Sequence, residues 1–421
     1  MSVTRRTLLT SAAAAALAAQ FRIDPAAAQE KVIRFSMPQD FTKIYTFVTA
    51  EYNQGHRDYI SLVNARGGIN GYTIATDVSD HGNDLPRAIE AFERAKSQGA
   101  VLVDPLSTPV ARALTPRALA DRINLITAFS GRSDAADGSV FPYVFPLSPN
   151  YWTQIALLVD YFRQQSGGDL TGKKICFVHI DTPFGKEPLP VLKRLQEKLG
   201  FELSTFPYTP PGNDQSAIWP QVRRARPDWI VFWGAGVGQT VALTGAIRNG
   251  LPMSHVSSCV WLSESDMDVV GRQQAAGVLK IEPCASGREP RLIQQILKEV
   301  VEPGRGAGPA DKVGTAYYNY GVMLASLMVE GVRQAFARAP QGPVSGEWLN
   351  AGLVSITNFD AEGLIPPTTV TREDHQGGGR ARIARWDGAK FVPVTDWFTA
   401  YQDVVWEVIR ESAAEFQKSG K

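Results

Sequence analysis

At 421 residues the chain exceeds one ordinary hydrophobic core, so two domains are expected. With 44% apolar residues, 20% charged residues and a net charge of +1, it has a globular composition and lacks the basic excess of a nucleic-acid-binding surface. No apolar run approaches the roughly 18 residues that suggest a membrane span.

Thr4-Arg5-Arg6-Thr7-Leu8-Leu9 sets an arginine pair before an alanine-rich apolar run that reaches Ala19, and Ala26-Ala27-Ala28 supplies small residues for cleavage before Gln29. This pattern reads as an export signal of the twin-arginine type over residues 1–28. No cysteine follows the apolar run, so no lipid anchor is expected and the mature chain is placed in the periplasm.

The first predicted strand is Val32–Met37, followed by a long helical stretch carrying Phe41, Tyr45, Phe47, Tyr52 and Tyr59. Paired glycines in Asn64–Gly71 stop that helix before a strand at Tyr72–Val78. Leu85–Gln98 is a predicted helix with Pro86 at its start and Gly99 at its end.

Residues 99–134 then form the unit around which the chain is organised. Ala100–Val103 is a short apolar run, read as a buried strand. Thr108 and Pro109 open a helix, with Thr108 as the expected cap, and Val110, Leu114, Ala118 and Leu119 recur at helical spacing. A second strand, Ile123–Ala128, stops at Ser130-Gly131. Two small polar loops thus lie at the carboxyl ends of parallel strands, where open α/β sheets bind ligands.

Phe141–Pro149 reads as an extended crossing. A second series follows: helix Tyr151–Gln165, strand Lys174–Ile180, loop Asp181–Gly185, helix Leu189–Leu199, strand Phe201–Tyr208, helix Ala217–Ala225, strand Trp229–Trp233, loop Gly234–Gly238 and helix Gln239–Asn249. Helices are also expected at Arg291–Val301 and Val313–Ala337, an extended region from Ile356, and a closing amphipathic helix near Asp403–Gln417. Alternating strands and helices argue for two α/β lobes with doubly wound parallel sheets.

Of the three cysteines, Cys176 sits in a strand-like run and reads as a buried thiol, while Cys259 and Cys284 are the candidate pair for a disulfide in an exported chain. The GAGVG run at 234–238 has Gln239 where a dinucleotide loop needs its third glycine, and no acid stands about 20 residues on. The five histidines are scattered, and no G-x-S-x-G elbow occurs. No enzyme activity, cofactor or metal is expected.

In order and spacing, Asn64–Gly71, Asp80–Glu90, Gln98–Ala113, Asn124–Asp134, Phe184-Gly185, Pro227–Ala235 and Ala316–Tyr320 resemble the periplasmic binding proteins of the leucine/isoleucine/valine type, which feed ABC importers. The resemblance implies lobes of 31–147 plus 284–355 and 148–283 plus 356–421, joined by three crossings and closing by hinge motion on a ligand in the cleft. It implies a monomer that delivers a small carboxylate to an inner-membrane permease, with no nucleic-acid partner. A receptor-docked sensor of the same two-lobe build stands as the alternative.

The ligand carboxylate would meet hydroxyl and main-chain donors at Ser107 and Thr108, with Phe129, Ser130 and Gly131 as a second shelf. Tyr45, Phe184, Gly234, Ala235 and Trp261 complete the expected site, and Arg132 either adds a charged contact or, as is commoner for a loop arginine, stands in solvent. In the family an acid of the second lobe meets the ligand's ammonium; Glu264 is the nearest candidate, with Asp266 beside it, while Val260 or Trp261 stands at the corresponding position. The resemblance puts a branched-chain or other hydrophobic amino acid first as the ligand, with an aromatic acid of the benzoate or cinnamate kind as the alternative.

Overall fold

β1 (Val32–Gln39) begins the part of the chain that this computed structural model describes, residues 31–419. The expected export signal lies outside the described residues. β1 leads through a tied loop into α1 (Thr46–Ala65), followed by β2 (Thr73–Asp80), α2 (Leu85–Ser97), β3 (Ala100–Val103), α3 (Thr108–Asp121), β4 (Asn124–Ile126) and β5 (Val144–Phe145). These strands form one sheet in the order β2-β1-β3-β4-β5. β3 and β4 are short and wholly buried, as expected of parallel strands covered on both faces. β5 lies inside the segment expected to be an extended crossing, because Val144 and Phe145 continue the parallel ladder beside Leu125 and Ile126.

The second series is α4 (Tyr151–Gln165), β6 (Lys174–Ile180), α5 (Pro183–Lys186), α6 (Leu189–Leu199), β7 (Glu202–Tyr208), α7 (Trp219–Ala225), β8 (Trp229–Trp233), α8 (Val237–Arg248), β9 (Val256–Ser258), α9 (Glu264–Val270) and β10 (Leu279–Glu282). α10 (Arg291–Ile296) runs into a π turn at Leu297–Val301, so the helix expected over this span changes its hydrogen bonding halfway. α11 (Ala316–Arg338), α12 (Gly346–Leu353), β11 (Arg382–Trp386), β12 (Phe391–Pro393) and α13 (Gln402–Ser419) complete the chain. The second sheet has the order β12-β11-β10-β9-β8-β6-β7. Its β10–β11 and β11–β12 pairs are antiparallel, so a hairpin from the extended tail closes one edge of an otherwise parallel sheet.

α11 is the most buried helix and lies against α1. The contact is made at glycines: a Cβ on Gly55 would fall 2.1 Å from the Tyr318 carbonyl oxygen, and one on Gly321 2.0 Å from that of Tyr52. Only hydrogen fits at either place.

α13 bridges two cores. Val404, Val405, Val408 and Ile409 join the main hydrophobic cluster, whereas Ala413 and Phe416 join a smaller cluster with Phe92, Leu114, Phe141 and Val144 of the first-sheet half. On the α6 side, Arg194 meets Glu407 (2.9 Å) and Glu411 (2.8 Å), and Lys198 meets Asp403 (2.5 Å).

All three cysteines are free and buried. Cys259 and Cys284 are therefore unpaired, contrary to the candidate disulfide: each thiol is enclosed in the main core.

Candidate functional site

The loop after β1 is shaped by one carboxylate. Asp40 accepts from the main-chain N–H of Thr42 (3.1 Å), Lys43 (2.8 Å), Ile44 (2.7 Å) and Tyr45 (3.0 Å). Asp80, at the end of β2, accepts from the Phe41 and Gly82 N–H groups at 2.9 Å and from the Thr42 hydroxyl at 2.8 Å. These N–H donors satisfy the carboxylate oxygens and fix the backbone that carries Lys43, Ile44 and Tyr45.

These residues form one wall of a cavity of about 350 Å³. The first-sheet half contributes Lys43–Phe47, Asn83 and Pro109, and the second-sheet half Ile180, Thr182–Phe184, Pro210-Pro211 and Ala235–Val237. The lining thus comes from loops at the carboxyl ends of β1, β2, β3, β6, β7 and β8, as the strand-end rule requires. Gly185 makes one turn: a Cβ there would stand 1.8 Å from the Ile180 carbonyl oxygen. Gly236 makes another, with φ +60° and ψ −140°. Ile44 and Val237, one from each half, are 57% and 49% exposed, so the rim is apolar too.

Of the sequence-predicted residues, Tyr45, Phe184 and Ala235 line this cavity. Burial pushes the Tyr45 phenol up to about 12, opposed by the polar groups of Ser107 and Thr108 beside it. The phenol oxygen therefore sits at the α3 N-terminus, where an anion was expected. Ser107, not Thr108, is the α3 cap, accepting from Val110 N–H, because the chain turns helical already at 108; its hydroxyl donates to Asn83 Oδ1 at 2.7 Å. The Thr108 hydroxyl accepts from Gly131 N–H at 2.9 Å, which locks the two predicted shelves together. Ser130 is buried and its hydroxyl has no partner.

Phe129 and Trp261 form an aromatic layer with Phe47 and Tyr320: Trp261 lies 5.5 Å from Phe129 and 5.9 Å from Phe47, and Phe129 lies 5.1 Å from Tyr320. Tyr151 extends it, 5.2 Å from Phe184 and 5.4 Å from Trp233. Gly234 lies behind the cavity wall, where a Cβ would collide with the Tyr208 hydroxyl at 2.1 Å.

Glu264 does not line the cavity; its carboxylate accepts from Ala316 N–H at 3.2 Å, at the start of α11. Asp266 is buried, forms a capping box with Ser263 and accepts from Gln239 at 2.9 Å, and burial pushes it up to about 6. Arg132 is buried rather than solvated, since the Phe141 and Phe416 rings lie 4.7 and 4.6 Å from its guanidinium and Asp134 is 3.2 Å away.

Sequence reading passed over Lys43, the Pro210-Pro211 wall, Val237, and a buried carboxylate, Glu187, that meets Arg112 across the two halves at 2.7 Å. No local signal marks that last pair, whose members stand 75 residues apart.

Residues 32–390 match the sequence pattern of a family described as periplasmic binding protein. A solved structure from the Pseudomonas fluorescens group, described as an ABC transporter permease, shares 32% identity with a TM-score of 0.86, covering 93% of this chain and 98% of its own. A branched-chain amino acid ABC transporter protein from Thermus thermophilus with bound valine shares 21% identity with a TM-score of 0.78, covering 90% of this chain and 99% of its own. A fatty acid ABC transporter substrate-binding protein from Thermomonospora curvata also shares 21% identity, with a TM-score of 0.74 and 90% and 95% coverage. No curated protein matches the chain. The two parallel sheets, the cavity between their loops and the match over most of the length agree: the chain belongs to the periplasmic binding protein family, with the two-lobed type I fold.

Proposed function

We propose that this solute-binding protein captures a small, mainly apolar carboxylate that carries no ammonium group, such as an aromatic acid or a short fatty acid, and delivers it to a membrane importer. One observation carries the reading: among the cavity's lining residues there is no aspartate or glutamate, while four are prolines and one, Lys43, is a cation. An α-amino acid held here would bury its ammonium unpaired, at a cost of several kcal/mol, on the order of that for other uncompensated buried charges. A carboxylate instead finds the Lys43 ammonium and the Asn83 amide on the first-lobe side, with Phe47 and Phe184 as ring faces. The hydrophobic amino-acid reading would require Glu264 to leave the α11 N-terminus. In this proposal the lobes follow the boundaries expected from sequence, with α13 reaching back onto the first, and the twin-arginine signal exports the chain to the periplasm.

Thermal unfolding of the mature chain from Gln29 tests the ligand class. Ligand at about 100 times its Kd adds roughly 2.7 kcal/mol to the folded state. Benzoates, cinnamates or short fatty acids should raise Tm, and aliphatic and aromatic amino acids should not. A shift with amino acids alone would overturn the proposal.

A further inference from the structure

The shelf at the carboxyl ends of β3 and β4 is already occupied by a carboxylate of the protein itself. Glu187 lies between α5 and α6, in the half that carries the second sheet, and its side chain is 4% exposed. Its Oε1 accepts from Ser133 N–H at 3.0 Å, and its Oε2 accepts from the Arg112 guanidinium at 2.7 Å. Both partners belong to the first-sheet half. The Arg112 Nε–H also donates to the Gly131 carbonyl at 2.6 Å, so the guanidinium is fixed across the turn that Glu187 approaches. The approach depends on residue 131 having no side chain, because a Cβ there would stand 2.7 Å from Thr108 Cγ2 and 3.1 Å from Glu187 Oε2. On its own side, Glu187 is anchored through its main-chain carbonyl, which accepts from the buried Trp152 indole at 2.6 Å.

We propose that Glu187 is an interlobe latch: received by Arg112 and the Ser133 N–H, its carboxylate holds the two lobes together before any ligand binds. A carboxylate this enclosed is costly to desolvate, and among the described residues the charge-assisted bonds that offset the cost come only from the opposite lobe. When the lobes part, both charges return to water. The tie is then a small difference between large terms, which suits a closure that must also release. Arg112 is 43% exposed and remains solvated if Glu187 is removed, so Glu187→Ala severs the tie without stranding a charge. A closed form populated without ligand raises apparent affinity in proportion to its population, so loosening the latch weakens binding of any ligand that the closed cleft accepts.

Small-angle X-ray scattering of the ligand-free mature protein tests this directly and needs no knowledge of the ligand. The wild type should scatter as the closed form, with Glu187→Ala and Arg112→Gln both increasing the radius of gyration and Glu187→Gln, which still accepts from Ser133, lying between. An unchanged far-ultraviolet spectrum and a cooperative melt distinguish opening from unfolding, and Arg112→Gln, at a half-exposed position, keeps the comparison available should Glu187→Ala not fold. A wild type as extended as the variants, or variants as compact as the wild type, would overturn the latch.

Discussion

The Trp261 indole N–H donates to the Tyr151 hydroxyl at 2.7 Å, and that hydroxyl donates onward to the Phe129 carbonyl. One phenol thus joins the loop after β9, the start of α4 and the loop after β4, all within the aromatic layer behind the cavity. Tyr151→Phe leaves a buried N–H and a buried C=O without partners, which costs about 1–3 kcal/mol. Urea unfolding should show that loss, with a change in tryptophan emission at zero denaturant.

Ala235→Asp places a carboxylate in the cavity wall. Like-charge repulsion should weaken binding of an aromatic or fatty acid at least about tenfold, and amino acids should bind better than they do to the wild type. Titration calorimetry with both classes checks the exchange.

Asp104, fully buried at the end of β3, accepts from the Tyr52 hydroxyl at 2.5 Å, and burial pushes its carboxyl up to about 7. The folded state therefore binds a proton that the unfolded chain, titrating near pH 4, has already released, and this group's contribution to stability falls as pH rises from about 4 to about 7. Asp104→Asn should remove that slope and stabilise the fold at pH 8 by a few kcal/mol at most, on the order of 1–4. Denaturant midpoints of both proteins at pH 5 and pH 8 measure it.

Phe416 lies 4.7 Å from Phe141 and covers the Arg132 guanidinium. Phe416→Ala should cost about 1–3 kcal/mol and free the end of α13, seen as faster hydrogen exchange over the last turns of that helix. The N-terminal turns, held by Arg194 and Lys198, should stay protected.

Burial pushes the Cys176 and Cys259 thiols up to about 12 and Cys284 higher still. A thiol reagent should find no reactive group in the native protein and all three in denaturant. A reductant should leave Tm unchanged.

The order of strands and helices was legible from the chain alone wherever an element is long enough to display a period. Tyr151–Gln165, Lys174–Ile180, Leu189–Leu199 and Trp229–Trp233 have the bounds expected from sequence. Val256–Ser258 and Leu279–Glu282 did not stand out because VSS and LKIE mix polar with apolar residues, where the equally short Ala100–Val103 is apolar throughout, and Gly346–Leu353 was missed because its two glycines interrupt the helical signal. The β11–β12 hairpin looked merely extended, since pairing with β10 is decided by residues a hundred positions away, as in Glu282 beside Arg382.

The sequence by itself determined which loops converge: hydropathy placed the strands, and small polar residues marked their carboxyl ends. Only the tertiary structure decided which side chains of those loops face the cavity. Ser107 and Thr108 turn instead to Asn83 and Gly131, Glu264 turns to the head of α11, and Glu187 reaches across to Arg112. Helices and strands follow from local steric and hydropathic preferences written in adjacent residues. A polar group's partner is chosen by which donor or acceptor offsets its desolvation once distant segments have packed.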